Sequence, residues 1–515
     1  MKQKGSSVVS WTWKWFNTDC KCGMENGIHI HDGNTCSVNS HSACRLGSLG
    51  AEQPAEAVTF CYFGSWAVWR PGAGKYDVED IDPFLCTHII YSFAAISTST
   101  WAIEPMEAHN DLCVNYGRCA YSRFTALKAI NPGLKTLLSV GANTEDAAIF
   151  SALSEDRNRR RIFTGSAVEI LNTYSFDGLD INWLLPAHEN GKPEDKENYI
   201  ALLRDLRDAL AAEDKILTAC VSLEKLEVDV AYDIPALSDT VDYLLLSGYN
   251  LHGPWHTYTH HHSPLFAHPA DTNDNVFLNI DYGVRYWISK GADRKKLVLG
   301  LGTYGRTWTL EDMSDTGYFA YATQAGKPGP YTANLGILGY NEICEMEHRR
   351  DDWTVVRDPD MNEPYAYGLS DKTWCAYDDA HSIWLKGQYA RSQGLAGMMV
   401  WSLETDDFSG SCSGRPYNLI RTMEEGFLDL PFSTPVPPTI ATTQKTGAPA
   451  TPTCDEGNYF LPDPQCNKYW LCVGGTAYPG ECAEGLVWNI DQEACNWPSN
   501  TDTSHCLMPG QTTTP

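Results

Sequence analysis

From residue 57 to residue 430, short apolar runs alternate with amphipathic stretches. The runs are CTHIIYSFAAI (Cys86 to Ile96), LKTLLSVGA (Leu134 to Ala142), FDGLDINWLL (Phe176 to Leu185), ILTACVSL (Ile216 to Leu223), VDYLLLSGYNL (Val241 to Leu251), KLVLGLGTYG (Lys296 to Gly305) and GLAGMMVWSL (Gly394 to Leu403). Lys196 to Ala212 is one of the amphipathic stretches between them. Strands that alternate with helices predict a parallel sheet, because a parallel pair needs a crossover connection. Seven or eight such strands in one domain predict an α/β fold, a closed (β/α)8 TIM barrel with its site at the C-terminal strand ends.

Three stretches fall outside that rhythm. Residues from about 307 to 374 exceed one crossover and predict a small inserted α+β subdomain. Residues 431–453 are rich in Pro and Thr and predict an extended linker open to O-glycosylation. Residues 454–506 hold six cysteines, followed by a tail at 507–515. That density predicts a disulfide framework built in an oxidising compartment, with a β module too small for a large core. No close CxxC or HxxxH pair favours zinc, so no metal is expected. Secretion is therefore expected, although Lys14 breaks the apolar stretch of the first 16 residues and makes it a poor signal peptide. Residues 1–56 carry Cys20, Cys22, Cys36, Cys44, His29, His31 and His41 and read as an irregular extension of unassigned role.

Charge narrows the partners. The chain has 38 basic and 65 acidic residues, a net charge of −27. Nucleic acid and anionic membrane both require clustered cations, so neither is expected. No run of apolar residues is long enough for a transmembrane helix.

The phrase FDGLDINWLLP, Phe176 to Pro186, resembles the fourth barrel strand of glycoside hydrolase family 18 chitinases, FDGxDxDWEYP. Further landmarks follow in order: CYFGSWAVWRPG (Cys61 to Gly72), CTHIIYSFA (Cys86 to Ala94), LKTLLSVG (Leu134 to Gly141), YNLHGPW (Tyr249 to Trp255), TYGRTWTL (Thr303 to Leu310), YNEIC (Tyr340 to Cys344), AYDDAHSIWLK (Ala376 to Lys386) and MVWSLETDDFSGSC (Met399 to Cys412). The family's chemistry uses a carboxylic acid to protonate the glycosidic oxygen and a carboxylate to orient the substrate N-acetyl group. Side chains alternate along a strand, so Asp180, Asn182 and Leu184 should face the barrel mouth. The resemblance puts the proton donor at Leu184 and the orienting aspartate at Asn182. Neither residue carries a carboxyl. Leu185, Ser247, Asn250, Ala142 and Asn143 also replace family residues. The degenerate motif, Asp177, Asp180, Asn182 and Leu184, is read as catalytically inactive, with the two aspartates holding hydrogen bonds near the strand end. Glu189 is the weighed substitute acid, against its reading as a solvated loop charge.

The resemblance places Tyr62, Trp66, Phe93, Trp255, Tyr304, Arg306 and Trp401 along the groove floor. Aromatic faces stack on pyranose rings, and Arg306 would bond sugar oxygens. Trp401 reads equally well as core. The resemblance also implies the disulfides Cys61–Cys86 and Cys344–Cys412. Cys113 and Cys119 would staple a loop, while Cys220 and Cys375 read as free and buried.

The last module, with KYWLC, EGLVWN and CNWP, resembles a peritrophin-A type chitin-binding domain. That pattern implies Cys454–Cys472, Cys466–Cys506 and Cys482–Cys495, and it turns Phe460, Trp470 and Trp497 outward to bind. The reading is a secreted, extracellular, inactive chitinase-like lectin. Its partner is chitin or N-acetylglucosamine oligomers, with no cofactor. The alternatives are a scaffold that binds a protein receptor and a residual weak glycosidase.

Overall fold

In a computed structural model of the chain, the described residues are 57–141, 146–188 and 191–432. Of the two ends, the described segments are 23–25, 28–31, 34–35, 458–462, 466–473, 476–482, 487–489 and 494–496. The parallel strands are β1 (Val58–Gly64), β2 (His88–Ile96), β3 (Lys135–Gly141), β4 (Gly178–Asn182), β5 (Ile216–Ser222), β6 (Tyr243–Ser247), β7 (Leu297–Gly302) and β8 (Gly397–Trp401). Each pairs with the next, and β8 returns to β1, so the sheet closes into the expected (β/α)8 barrel. Ile103–Pro105 runs antiparallel off β2.

Helices cover the outside and side chains fill the inside, so most strand residues are buried on both faces. Phe60, Ile90, Leu137, Leu245, Val298 and Met399 pack across the interior as a core rather than a pore. The β8–β1 seam needs glycine at 397, because a Cβ there would lie 1.8 Å from the Val58 carbonyl oxygen.

The run KLVLGLGTYG is two strands rather than one. β7 ends at Gly302, and Tyr304–Thr309 opens an antiparallel sheet after a single residue. That sheet orders Gln324–Ala325, Tyr304–Thr309, Thr373–Ala376, Pro364–Gly368 and Trp353–Arg357, with Ile337–Gly339 paired to its first long strand. The helix Tyr340–Arg349 completes an α+β insertion spanning Tyr304 to Ala376. It has its own core of Trp308, Leu310, Ala320, Tyr365 and Trp374.

In the terminal module, Asn458–Pro462, Lys468–Val473 and Thr476–Glu481 form an antiparallel sheet, and Val487–Asn489 pairs with Ala494–Asn496. Cys466 and Cys482 are buried and disulfide-bonded. The specific pairings expected of Cys454, Cys472, Cys495 and Cys506 lie outside the described side chains. Separately, the first segment contains a small antiparallel sheet of Gly23–Glu25, Ile28–His31 and Asn34–Thr35. No helix among the described residues is long and apolar enough to cross a membrane.

Candidate sugar-binding groove

β4 carries the residues that the sequence singles out. Asp180 is fully buried at its centre. Tyr62 Oη from β1 and Ser139 Oγ from β3 donate to Oδ2 at 2.8 and 2.6 Å, and Thr218 Oγ1 from β5 donates to Oδ1 at 2.7 Å. Burial pushes this carboxyl above the usual range, and the three hydroxyls pull against it. Asp180 thus ties β4 to its neighbours β3 and β5 and, across the barrel, to β1. Asn182 follows on the same face and is buried at the end of β4.

Leu184 lies two residues beyond the strand, half-buried. It packs, as Trp401 does, against the barrel-core cluster that contains Tyr249 and Tyr304. Its carbonyl accepts a hydrogen bond from the Tyr232 hydroxyl, which in turn accepts from Ser222 N at 3.1 Å. Tyr232 therefore latches the rim of β4 to β5.

Asp177 corrects the expectation of a role at the mouth. It precedes the first residue of β4, at the opposite end of the strand. There it accepts from Thr136 N at 2.8 Å and pairs with Lys128 Nζ at 2.8 Å. The whole of β4 lies between it and the mouth, at whose end Asn182 sits.

The aromatic floor divides into platforms and props. Trp401 stacks on Phe93 at 5.7 Å, and Phe93 on Trp66 at 6.0 Å. Trp66 is 37% exposed, whereas Phe93 is 6% exposed beneath it. Trp401 is half-buried, which resolves its even reading toward a residue shared by core and mouth. Tyr62 is a correction. It lies 5.0 Å from Trp401 but is fully buried, so its ring is a support and not a stacking surface. Tyr304 is likewise buried.

Asn250 organises the facing wall. Its Oδ1 accepts from Tyr304 Oη at 2.6 Å and from Arg306 Nε at 2.8 Å. Its φ of 61° lies in the left-handed region, which Asn tolerates better than most residues. The Arg306 guanidinium lies 5.1 Å from the ring centroid of Trp255, itself 54% exposed. Arg306 is thus already committed to Asn250 and Trp255. Ser247 meets Cys220 Sγ at 3.3 Å inside the barrel. Ala142, Asn143, Glu189 and Trp497 lie outside the described residues; Phe460 and Trp470 sit on the first two strands of the terminal module, opposite Leu471 and Leu461.

Two features escaped the reading of the sequence. Glu404 is fully buried behind the floor, accepting from Gly64 N at 3.0 Å and from Ser402 Oγ at 2.6 Å. A Cβ on Gly64 would lie 2.4 Å from Glu404 Oε1 and 2.7 Å from the Trp66 ring, so glycine lets Trp66 take its place. Only the three-dimensional return of β8 to β1 brings these residues together. The second is Glu224, just past the end of β5. Its carboxyl is pushed up to about 8, first by burial and then by Glu227. Glu227 accepts from Ser222 Oγ at 2.6 Å. The acidic spacing in LEKLE was the available signal. The expected loop disulfide Cys113–Cys119 is formed, as are Cys61–Cys86 and Cys344–Cys412, and Cys220 and Cys375 are free and buried.

Among the described residues, two clusters have cation-ligand types: His348 with the disulfide-bonded Cys344 and Cys412, and His268 with Asp358 and Asp360. His268 Nδ1 already accepts from Ala270 N at 3.1 Å, and Asp358 Oδ1 accepts from Asp360 N at 2.9 Å. These atoms serve local turns.

A closed barrel, an inserted α+β unit and an aromatic-floored mouth are together those of a glycosidase-type (β/α)8 barrel. The chain belongs to the glycosyl hydrolases family 18, whose model matches residues 58–406, and the chitin binding Peritrophin-A domain matches residues 452–506. It is 35% identical to mouse chitotriosidase-1 over 457 residues, covering 85% of this chain and 94% of that protein. Among solved structures, it is similar to catalytic domain 2 of a group II chitinase from Ostrinia furnacalis. That structure is a Glu-to-Leu mutant in complex with a five-sugar chito-oligosaccharide, with a TM-score of 0.69, 36% identity and coverage of 74% of this chain and 98% of that one. It is also similar to human YKL-39, described as a pseudo-chitinase with retained chitooligosaccharide binding, with a TM-score of 0.66, 32% identity and coverage of 72% and 99%.

Proposed function

We propose that the chain is a secreted chitin-binding protein whose barrel groove holds N-acetylglucosamine oligomers without cleaving them. The observation that carries this reading is Leu184, set in an apolar cluster at the end of β4. Substrate-assisted glycoside hydrolysis needs a proton for the leaving oxygen. A general acid contributes about 10²- to 10⁴-fold, and a leucine supplies none of it. Asn182 removes the negative charge beside the developing cation as well. The platforms Trp66, Trp401 and Trp255 keep the surface that binding needs. The relative carrying a Glu-to-Leu change, in complex with an oligosaccharide, supports compatibility of leucine with binding. The Peritrophin-A module supports anchoring to the polymer, and the disulfides support an oxidising, extracellular destination.

The test uses the full-length chain and N-acetylglucosamine hexamer. Calorimetry should record binding that Trp401→Ala weakens about tenfold or more, a loss of ~1.4 kcal/mol. Reducing-end assays should show no release of shorter sugars. Release that disappears in Glu224→Gln would overturn the reading in favour of a displaced acid. Absence of hexamer binding would show that the groove is no longer a sugar site.

A further inference from the structure

Away from the groove, the insertion's helix Tyr340–Arg349, the start of the helix Ala380–Ser392 and the segment behind β8 enclose a cavity of about 320 Å³. That volume is at the small end of ligand pockets. The Cys344–Cys412 disulfide lies in its wall. The two cysteines are 3% and 7% exposed, yet the imidazole of His348 beside them is exposed. His348 Nδ1 lies 2.8 Å from the Cys344 carbonyl oxygen and 3.2 Å from Cys412 Sγ. A carbonyl oxygen only accepts, so Nδ1 carries the hydrogen, and Cys412 Sγ lies within hydrogen-bonding distance of the same nitrogen. Arg357, paired with Asp379, adds charge to the lining, which His381 also joins.

We propose that this cavity is a thiol-exchange site, in which a low-molecular-weight charged thiol forms a mixed disulfide with Cys344. The attacking thiolate bonds to Cys344 Sγ as the Cys344–Cys412 bond breaks. The electron pair leaves on Cys412 Sγ, where the His348 N–H holds the thiolate. A second thiolate then attacks the mixed disulfide at the small molecule's sulfur. It releases Cys344 as a thiolate and carries off the oxidised small disulfide, so two thiols supply the two electrons. The direction follows from the geometry. A sulfur whose thiolate is stabilised by an imidazole is the better leaving group, and only Cys412 Sγ has that donor. The Cys61–Cys86 bond is as deeply buried and has no such neighbour among the described residues.

Full-length protein is incubated with reduced glutathione, quenched with iodoacetamide and mapped by peptide mass spectrometry. The expected result is glutathione on Cys344 and carbamidomethyl on Cys412, with Cys61–Cys86 intact. His348→Ala, at an exposed position that leaves the core untouched, should slow opening about tenfold. The same variant should leave the rate at the exposed loop bond Cys113–Cys119 unchanged. Glutathione on Cys412, equal opening of Cys61–Cys86, an unaltered rate in His348→Ala, or no opening of Cys344–Cys412 would each overturn the proposal.

Discussion

Leu184 and Asn182 act as a pair, and their repair should be non-additive. A glutamate at 184 would stand half-buried against the barrel-core cluster, where partial burial favours the protonated form that an acid needs. With Asn182 still neutral, the attacking N-acetyl group would gain neither orientation nor charge stabilisation. Leu184→Glu alone should therefore leave hexamer hydrolysis at background. The double variant Asn182→Asp, Leu184→Glu should exceed the single by about 10²- to 10⁴-fold in reducing-end release. Equal rates for single and double variants would show that these two positions do not limit hydrolysis. At this scale the sequence was informative where chemistry follows alternation. Asp180, Asn182 and Leu184 could be assigned to one face from their spacing alone. Asp177 and Tyr62 could not be placed so well, because a residue's height along a strand and the depth of a ring depend on neighbouring strands.

Among the elements, the segment after β6 gathers four lowered imidazoles in one stretch. Within Leu251 to Ser263 it carries Trp255 to the groove and bonds the insertion through Thr259 N to the Ala320 carbonyl at 3.0 Å. It also holds five histidines. His252 stacks on His260 at 3.8 Å and meets His256 Nδ1 at 3.3 Å. Burial lowers the imidazoles of His252, His256 and His262 below their usual value, and that of His261 to about 3. The facing charges are Asp271 on His260, Glu363 on His261, Lys386 beside Asp378, and Arg306. Lowered imidazoles bind protons more weakly when closed than when open. The closed segment is therefore stable above the ordinary histidine value of about 6.5 and loses stability as pH falls below it. Glu363, pushed up to about 7 by burial, has the opposite sign, but it is one group against four. Hydrogen exchange, corrected for intrinsic rate, should show protection at 250–263 falling between neutral pH and about pH 5 while β3 to β5 hold theirs. Uniform loss across the barrel, or none in the segment, would contradict this. The histidines are visible in YNLHGPWHTYTHHHSP, but their burial is not, because it depends on an insertion whose strands begin only at Tyr304. The same insertion explains why KLVLGLGTYG looked like one strand. Both halves are apolar and buried, and nothing in periodicity marks the change of sheet at Thr303.

For the whole molecule, the barrel was legible because its eight parallel strands are buried on both faces and read as continuous apolar runs. The two matched regions, 58–406 and 452–506, are separated by residues 407–451, and under the proposed function they give one chain two places to meet a polymer. Two linked weak sites gain affinity through effective concentration, without a new contact. Charge decides how such binding should respond to conditions. The chain carries −27 overall, and its terminal module has a single lysine, Lys468, against eight acidic residues. Chitin is uncharged, so no counterions are released on binding and no long-range attraction is screened. Retention of the full-length chain on chitin beads should change by less than about twofold between about 0.1 M and about 1 M sodium chloride, although the Debye length falls from about 10 to about 3 Å. Stacking and hydrogen bonding at Trp66, Trp401 and the module would account for that indifference. Elution by salt would mean that the beads hold the protein through charge, as a steep salt slope reports for polyanions, and would remove the basis for aromatic recognition.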